Sequence, residues 1–574
     1  MVSRPGIAAV IVGLLVGGVA YDRLEHVRAA PAPVPAPAAA NPSMAEPSRL
    51  SSVWYCPVGS AGGGYAEHTV EVSNVGDEPA VATVSVLTDE GPGPSLRVEL
   101  AAGSRREVAL AELETAAAAG AVVEVLSGQG AVNHVVATPH GPVRGPCATS
   151  ASDQWHFAGG VTTRDATYQL ALLNPFPEDA VVDVRLQAAD RSRLPSNLQG
   201  AIVPARSTRV IDVSAAVARE GAVATTVQLR RGRVVAERLQ SFSGVLGPVG
   251  SVLELGSPAG AVESWFPAGE VHAGGDQRLV LYNPSSTVAE VDVELVPDDP
   301  DLAATYGLVP IEVSIGAGRF EIVDLRATAT QLGVPLPIGL GLHVVGVNQV
   351  PIVAERWSLS PALNLAAIGA DPVPVAPIPP EGPPPPGAPG DVDPAPGTPA
   401  TTPATDPAPP APGVDPAAAA ATPAPSIPAE PAGGPAGTAP PPAAAPPSAG
   451  PEAVAASTGE IPAPIGVGID RGLSTTAKTW ALAGTTWWTP EGTVLVVMGG
   501  DQPSTVTVRE VGGGVAATAE VPAGHRVVVP IRSDLALADL VVSATAPVVV
   551  ASSAAEPGGP TRVANGVPIL EEPR

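Results

Sequence analysis

Few residues in this chain have the type and spacing to do chemistry, and each has a plainer reading beside it. Asp298-Asp299-Pro300-Asp301 places carboxylates close together after an apolar run. Calcium takes several oxygen ligands on an irregular loop, but this spacing matches no known calcium loop, and acidic turns are commonplace. The eight histidines are dispersed, with no H-E-x-x-H and no C-x-x-C. His134 and His140 flank a candidate strand, and no carboxylate of suitable spacing completes a metal set. Ser241-Phe242-Ser243-Gly244 lacks the glycine two places before either serine, so it is not a nucleophile elbow. Trp487-Trp488 is a candidate ligand-binding pair, since indole rings stack on sugar faces. No catalytic residue, metal or cofactor is expected.

The elements that carry these residues are repeated. Trp54-Tyr55-Cys56-Pro57-Val58-Gly59, Trp155-His156-Phe157-Ala158-Gly159, Trp265-Phe266-Pro267-Ala268-Gly269 and Trp480-Ala481-Leu482-Ala483-Gly484 read as one phrase, W-x-x-A-G, with an extra residue in the first copy. An alternating run follows each, ending at Asn74, Asn174, Asn283 or Gly499-Gly500. Asn and Gly both tolerate the left-handed backbone of a tight turn. A second alternating run comes next, and the two read as a hairpin with one wet and one dry face. Further markers are Leu100-Ala101-Ala102-Gly103 with its counterparts at Val203, Ile315 and Val521, and a closing run at Val135, Val234, Ile352 and Val549. Two copies of the closing run end in Glu-Arg: Glu237-Arg238 and Glu355-Arg356. Such ordered recurrence marks an array. Trp54, Trp155, Trp265 and Trp480 are expected to be core plugs, each contributing roughly 4–6 kcal/mol as an upper estimate.

Each unit has about seven short strands at the spacing of a β-sandwich. The fold class is all-β: tandem β-sandwich modules, immunoglobulin- or fibronectin-III-like, with an N-terminal membrane helix and a long disordered linker. The expected layout is a signal-anchor segment at 1–28, a Pro/Ala spacer at 29–50, and modules at 51–150, 151–258 and 259–370. A disordered Pro/Ala-rich linker at 371–465 and a fourth module at 466–574 complete it. The linker buries too little apolar surface to offset the entropy of ordering. Helix signals are limited to 110–119 and 325–332.

Arg4 followed by the apolar run from Ile7 to Ala20 is a targeting segment. It is short for a span, which wants about 20 residues. Tyr21 and Arg23 suit an interface, while Gly18-Val19-Ala20 suits cleavage. A single-pass anchor with the bulk of the chain extracytoplasmic is expected, with secretion after cleavage near Ala20 as the alternative. The only two cysteines, Cys56 and Cys147, bracket the first module. Export favours a disulfide between them. The net charge of −26 argues against a nucleic-acid partner.

The anchor, the Trp54-Tyr55-Cys56-Pro57 phrase and the β-rich array resemble a family of exported actinobacterial proteins catalogued as a domain of unknown function. That family has no established activity, so the resemblance implies an envelope setting and no catalytic residues, with Cys147 as the partner of Cys56. The function expected is non-enzymatic: an envelope-anchored extracytoplasmic protein presenting repeated modules to a polysaccharide or an exported protein. The alternatives are a carbohydrate-binding protein using Trp487 and Trp488, and a wall-glycan enzyme.

Overall fold

The computed structural model describes residues 42–44, 50–62, 65–126, 129–361, 466–482, 493–531, 539–555 and 561–569. The expected anchor at 1–28, nearly all of the spacer at 29–50, and the linker at 371–465 lie outside these residues. No helix among the described residues is long and apolar enough to cross a membrane.

The described chain is nearly all β, in several antiparallel sheets. In the first module one sheet runs Ser51–Cys56, Ala119–Leu126, Ala80–Thr88, Gly91–Leu100. The other runs Arg105–Ala109, Glu67–Asn74, Gly130–Thr138, Gly141–Pro146. Trp54, Val70, Val72, Val84 and Val123 fill the space between them. The second and third modules repeat this pair of sheets. Short helices appear only at connections, including Leu325–Gln331, while 110–119 shortens to a single 3-10 turn at Leu110–Glu112.

The two alternating runs of each unit are not a hairpin. Glu67–Asn74 and Ala80–Thr88 belong to different sheets, and the chain crosses the core between them. The asparagine makes that crossing, through hydrogen bonds rather than a left-handed backbone. Asn174 donates to the carbonyls of Glu178, Val203 and Pro204 and accepts from the Phe176 amide. Asn74 and Asn283 do the same work. The left-handed position falls instead in the next marker, at Gly103, Arg206, Gly318 and Gly524, with φ of 64°, 49°, 65° and 67°.

The third module differs from the sequence layout at its end. Gly466–Arg471, expected to open the fourth module, pairs with Val353–Ser360 and completes the third module's second sheet. In the first two modules that closing strand follows after a short turn. Here the turn is replaced by residues 361–465, so the Pro/Ala-rich insert interrupts a hairpin and does not separate two modules. An open strand edge with unpaired amides makes the pairing favourable whatever the loop length, because closure entropy grows only slowly with length. In the fourth module Leu540–Ala555 runs unbroken through both halves, joining what are separate strands elsewhere.

Much of the outward face of the second sheets in modules two and three is also dry. It packs on the preceding module, which removes the wet face that the alternation implied. Val58, Val136, Leu239 and Leu253 join modules one and two. Ala158, Phe242, Tyr282 and Trp357 join two and three. Ala268, Val496 and Ala551 join three and four. The fourth module returns to the first: Ala481, Val567 and Ile569 enter the first core, the Met44 amide donates to the Pro568 carbonyl at 2.9 Å, and Arg105 lies 3.7 Å from Asp539. The succession of modules therefore closes on itself.

Cys56 and Cys147 form a disulfide across 91 residues. It ties the first strand to the end of the same module. Replacing both by alanine is expected to cost about 2–5 kcal/mol of stability in urea unfolding; an unchanged midpoint would show that packing alone holds the ends together.

Candidate functional site

The polar side chains brought together by the fold lie at the junctions between modules. Registering equivalent strands identifies them. Cys147, Gly256 and Gly566 donate their amides to the carbonyls of Val132, Ala236 and Val550. Asn133, Glu237, Glu355 and Ala551 are therefore one position, and His134, Arg238, Arg356 and Ser552 the next. The closing marker of the first unit sits at 130–134, five residues before the Val135 run that sequence alone suggests. Its strand is a second-sheet strand, and in the second and third modules Glu237 and Glu355 at this position reach into the module before.

At the junction of modules two and three, Glu355 reaches back into the second module. Oε1 accepts from the Ala158 amide at 2.8 Å and Oε2 from the Gly159 amide at 3.1 Å. Oε2 also accepts from Arg238 Nη2 at 2.9 Å and Trp357 Nε1 at 3.1 Å. Arg238 donates in addition to the Gly159 carbonyl, and its guanidinium lies 5.2 Å from the Trp357 ring. Both charges are buried. Burial pulls the Arg238 pKa down, but the Glu355 carboxylate and its other neighbours more than offset this and hold it above its ordinary value.

At the junction of modules one and two the same position carries a neutral chain. Glu237 Oε2 accepts from the Val58 amide at 3.1 Å, and Oε1 lies 2.9 Å from His134 Nε2. His134 Nδ1 lies 3.0 Å from His68 Nε2, and His68 Nδ1 lies 2.9 Å from the Ala119 carbonyl. A carbonyl only accepts, so His68 Nδ1 carries a proton and its Nε2 accepts from His134. The remaining proton lies between His134 and Glu237. Burial places it on Glu237, raising that carboxyl well above the usual carboxylate range and lowering both imidazoles to about 3. Every ring nitrogen is committed within this chain, so neither histidine is positioned to take a proton from a substrate.

The tryptophans sort differently from their sequence phrase. Trp54, Trp155 and Trp480 are buried in their own modules. Trp265 is shifted by one position. Tyr55, His156 and Trp265 make equivalent bridges, to Ala148, Ser257 and Leu473. Ser264 is thus the counterpart of the plugs, and Phe266 fills the third core. Trp265 faces outward, packs with Leu473 and Trp480, and stacks on His343 at 3.5 Å. Because an adjacent-residue slip reverses a strand's faces, matching the indoles by sequence puts the third one on the wrong side.

Asp298 and Asp299 have structural partners. Asp299 Oδ1 accepts from the Asp301 amide at 3.0 Å at the start of the helix Pro300–Tyr306, and Asp298 pairs with Arg526. Among the described residues no group of three His, Cys, Asp or Glu side chains can hold a metal ion. His140 is exposed in a turn, and Phe242 between the two serines is a junction core residue. Trp487 and Trp488 lie outside the described residues. Sequence reasoning passed over Glu237, Arg238, Glu355 and Arg356 as site residues, although charges inside an otherwise apolar strand were the available signal.

Residues 140–253 match the model of a family of unknown function, DUF5719. This span covers the end of the first module and nearly all of the second. No curated protein matches. The crystal structure of Streptomyces avermitilis alpha-L-rhamnosidase complexed with L-rhamnose is similar over 57% of this chain and 45% of that chain, at 10% identity and a TM-score of 0.14. The match thus spans less than half of that chain, and at this score it supports no argument about fold or activity.

Two measurements check the junctions. Glu355→Leu alone leaves Arg238 buried without its partner and is expected to cost about 3–5 kcal/mol. Adding Arg238→Met should cost less than the sum of the single changes by about 1 kcal/mol or more; additive costs would deny the coupling. The neutral histidines contribute stability that is complete above the ordinary imidazole value near 6.5 and is lost as pH falls toward 3. His68→Gln, which installs the residue found at the equivalent Gln277, should flatten this acid limb by up to about 1.4 kcal/mol per pH unit. Parallel wild-type and variant profiles would show that His68 does not carry the acid sensitivity.

Proposed function

We propose that this protein is a non-enzymatic, envelope-anchored extracytoplasmic scaffold that presents its modules, in fixed relative positions, to a cell-envelope polysaccharide or an exported protein. The observation that carries the reading is the Glu355 junction. A carboxylate buried in the neighbouring module and bound by two of its amides holds consecutive modules to one another. Flexible beads would leave such groups solvated, since an unpaired buried carboxylate costs several kcal/mol. A fixed array suits display of several surfaces at once, where effective concentration depends on geometry. The Cys56–Cys147 disulfide supports an oxidising compartment. The apolar run from Ile7 to Ala20 supports an anchor with the modules outside.

Protease treatment of intact cells tests the location. The modules should be digested without lysis, and maleimide should label Cys56 and Cys147 only after reduction and denaturation. Protection until lysis, with both thiols labelled without reductant, would place the protein in the cytoplasm and end this reading.

A further inference from the structure

The third junction lacks the acid that the first two possess. Ala551 occupies the position of Glu237 and Glu355, paired across the sheet with Val496 as those residues pair with Ala171 and Val280. Ala551 is buried against Ala268, the counterpart of Gly159. The cation that such an acid would meet is still present. Arg356, equivalent to Arg238, is buried and donates through Nη1 to the Ala268 carbonyl, as Arg238 does to Gly159. Its Nη2, the counterpart of the atom that binds Glu355, has no hydrogen-bond partner. A second buried arginine arrives from the fourth module: Arg526 Nε donates to the Pro267 carbonyl, and Nη2 lies 3.5 Å from the Gly269 carbonyl. Two guanidinium groups thus flank the segment Pro267-Ala268-Gly269.

We propose that the third junction binds a small inorganic anion of halide size against Arg356, in a cavity beside the position that a glutamate fills at the two preceding junctions. Arg356 borders a cavity of about 20 Å³, lined also by Gly269, Gln277, Ser358, Gly468 and Asp470. That is space for about one water-sized species. The cavity exists because the larger Tyr168, Gln240 and Val252 of the second module are replaced here by Gln277, Ser358 and Gly468.

One acid on this wall sets the conditions. Asp470 faces Arg356 of the adjacent strand, Arg471 of its own strand, Glu254 of the second module and Asn565 of the fourth, whose Nδ2 donates to it at 2.6 Å. Burial raises its carboxyl to about 7, so below that value it is neutral and no longer repels an anion. Glu270, also on the wall, lies 3.4 Å from His272, which lowers its carboxyl below the usual range, so its charge does not change where Asp470 titrates. Anion binding therefore strengthens as Asp470 takes up its proton.

Full-length protein melted in sodium chloride and in sodium gluconate at matched ionic strength tests this. Chloride should raise Tm by about 2 °C or more at pH near 6, with saturation, and by less at pH near 8. Ala551→Glu, which restores the missing acid, and Arg356→Met should each abolish the difference. Chlorine NMR of the wild type gives an answer independent of variant folding: the chloride line should broaden with protein and narrow again on adding excess bromide. Equal melting in both salts together with an unbroadened line, or a chloride effect retained in Ala551→Glu, would leave only a water at Arg356 and overturn the proposal.

Discussion

The arrangement depends on one constraint: a buried charge must find its partners within the protein. Glu355 satisfies it with two amides, one guanidinium and one indole, most of them from the module before. Removing an ionised carboxylate from water is expensive, and only such a set of donors offsets the cost. The consequence is positional. The acid is accommodated when the two modules sit in one relation and not otherwise, so the junction selects that relation even where its net contribution to stability is small. Apolar contacts such as Phe242, Tyr282 and Trp357 supply most of the burial energy, but they tolerate sliding better than hydrogen bonds do.

The junctions also show how a repeat diverges while keeping its scaffold. The pair Glu237 with His134 solves the burial problem by neutrality, through a shared proton. The pair Glu355 with Arg238 solves it by ionic pairing. At the third junction the acid is absent, and Arg526 enters from another strand to bind the buried carbonyl of Pro267. The backbone framework is constant across these solutions. Asn74, Asn174 and Asn283 fix the crossing between sheets, and a left-handed residue at Gly103, Arg206, Gly318 and Gly524 fixes the following turn.

Much of the fold was legible because it is governed by local pattern. Alternating runs gave the strands, and the ordered markers gave the repetition. The disulfide was legible from the only two cysteines, which bracket one module, and from the export expected of the chain. What failed did so for long-range reasons. Gly466–Arg471 belongs with the third module because its partner strand has an open edge, a fact that a hundred intervening residues conceal. The slip of Trp265 to the outer face is invisible to a search keyed on the indole, since Phe266 fills the core position beside it. The wet face expected of the second sheets is largely dry in modules two and three because the preceding module covers it. Glu355 and Arg356 were visible as charges within an apolar strand, but which module they enter is decided only by packing.

The central claim is that these modules form one body and not a string of independent units. Calorimetric unfolding of the full-length protein tests it most directly. The account expects one cooperative transition for the four modules, with calorimetric and van't Hoff enthalpies in agreement. Separate transitions, each with the enthalpy of about 100 residues, would show that the buried acids do not hold the modules together.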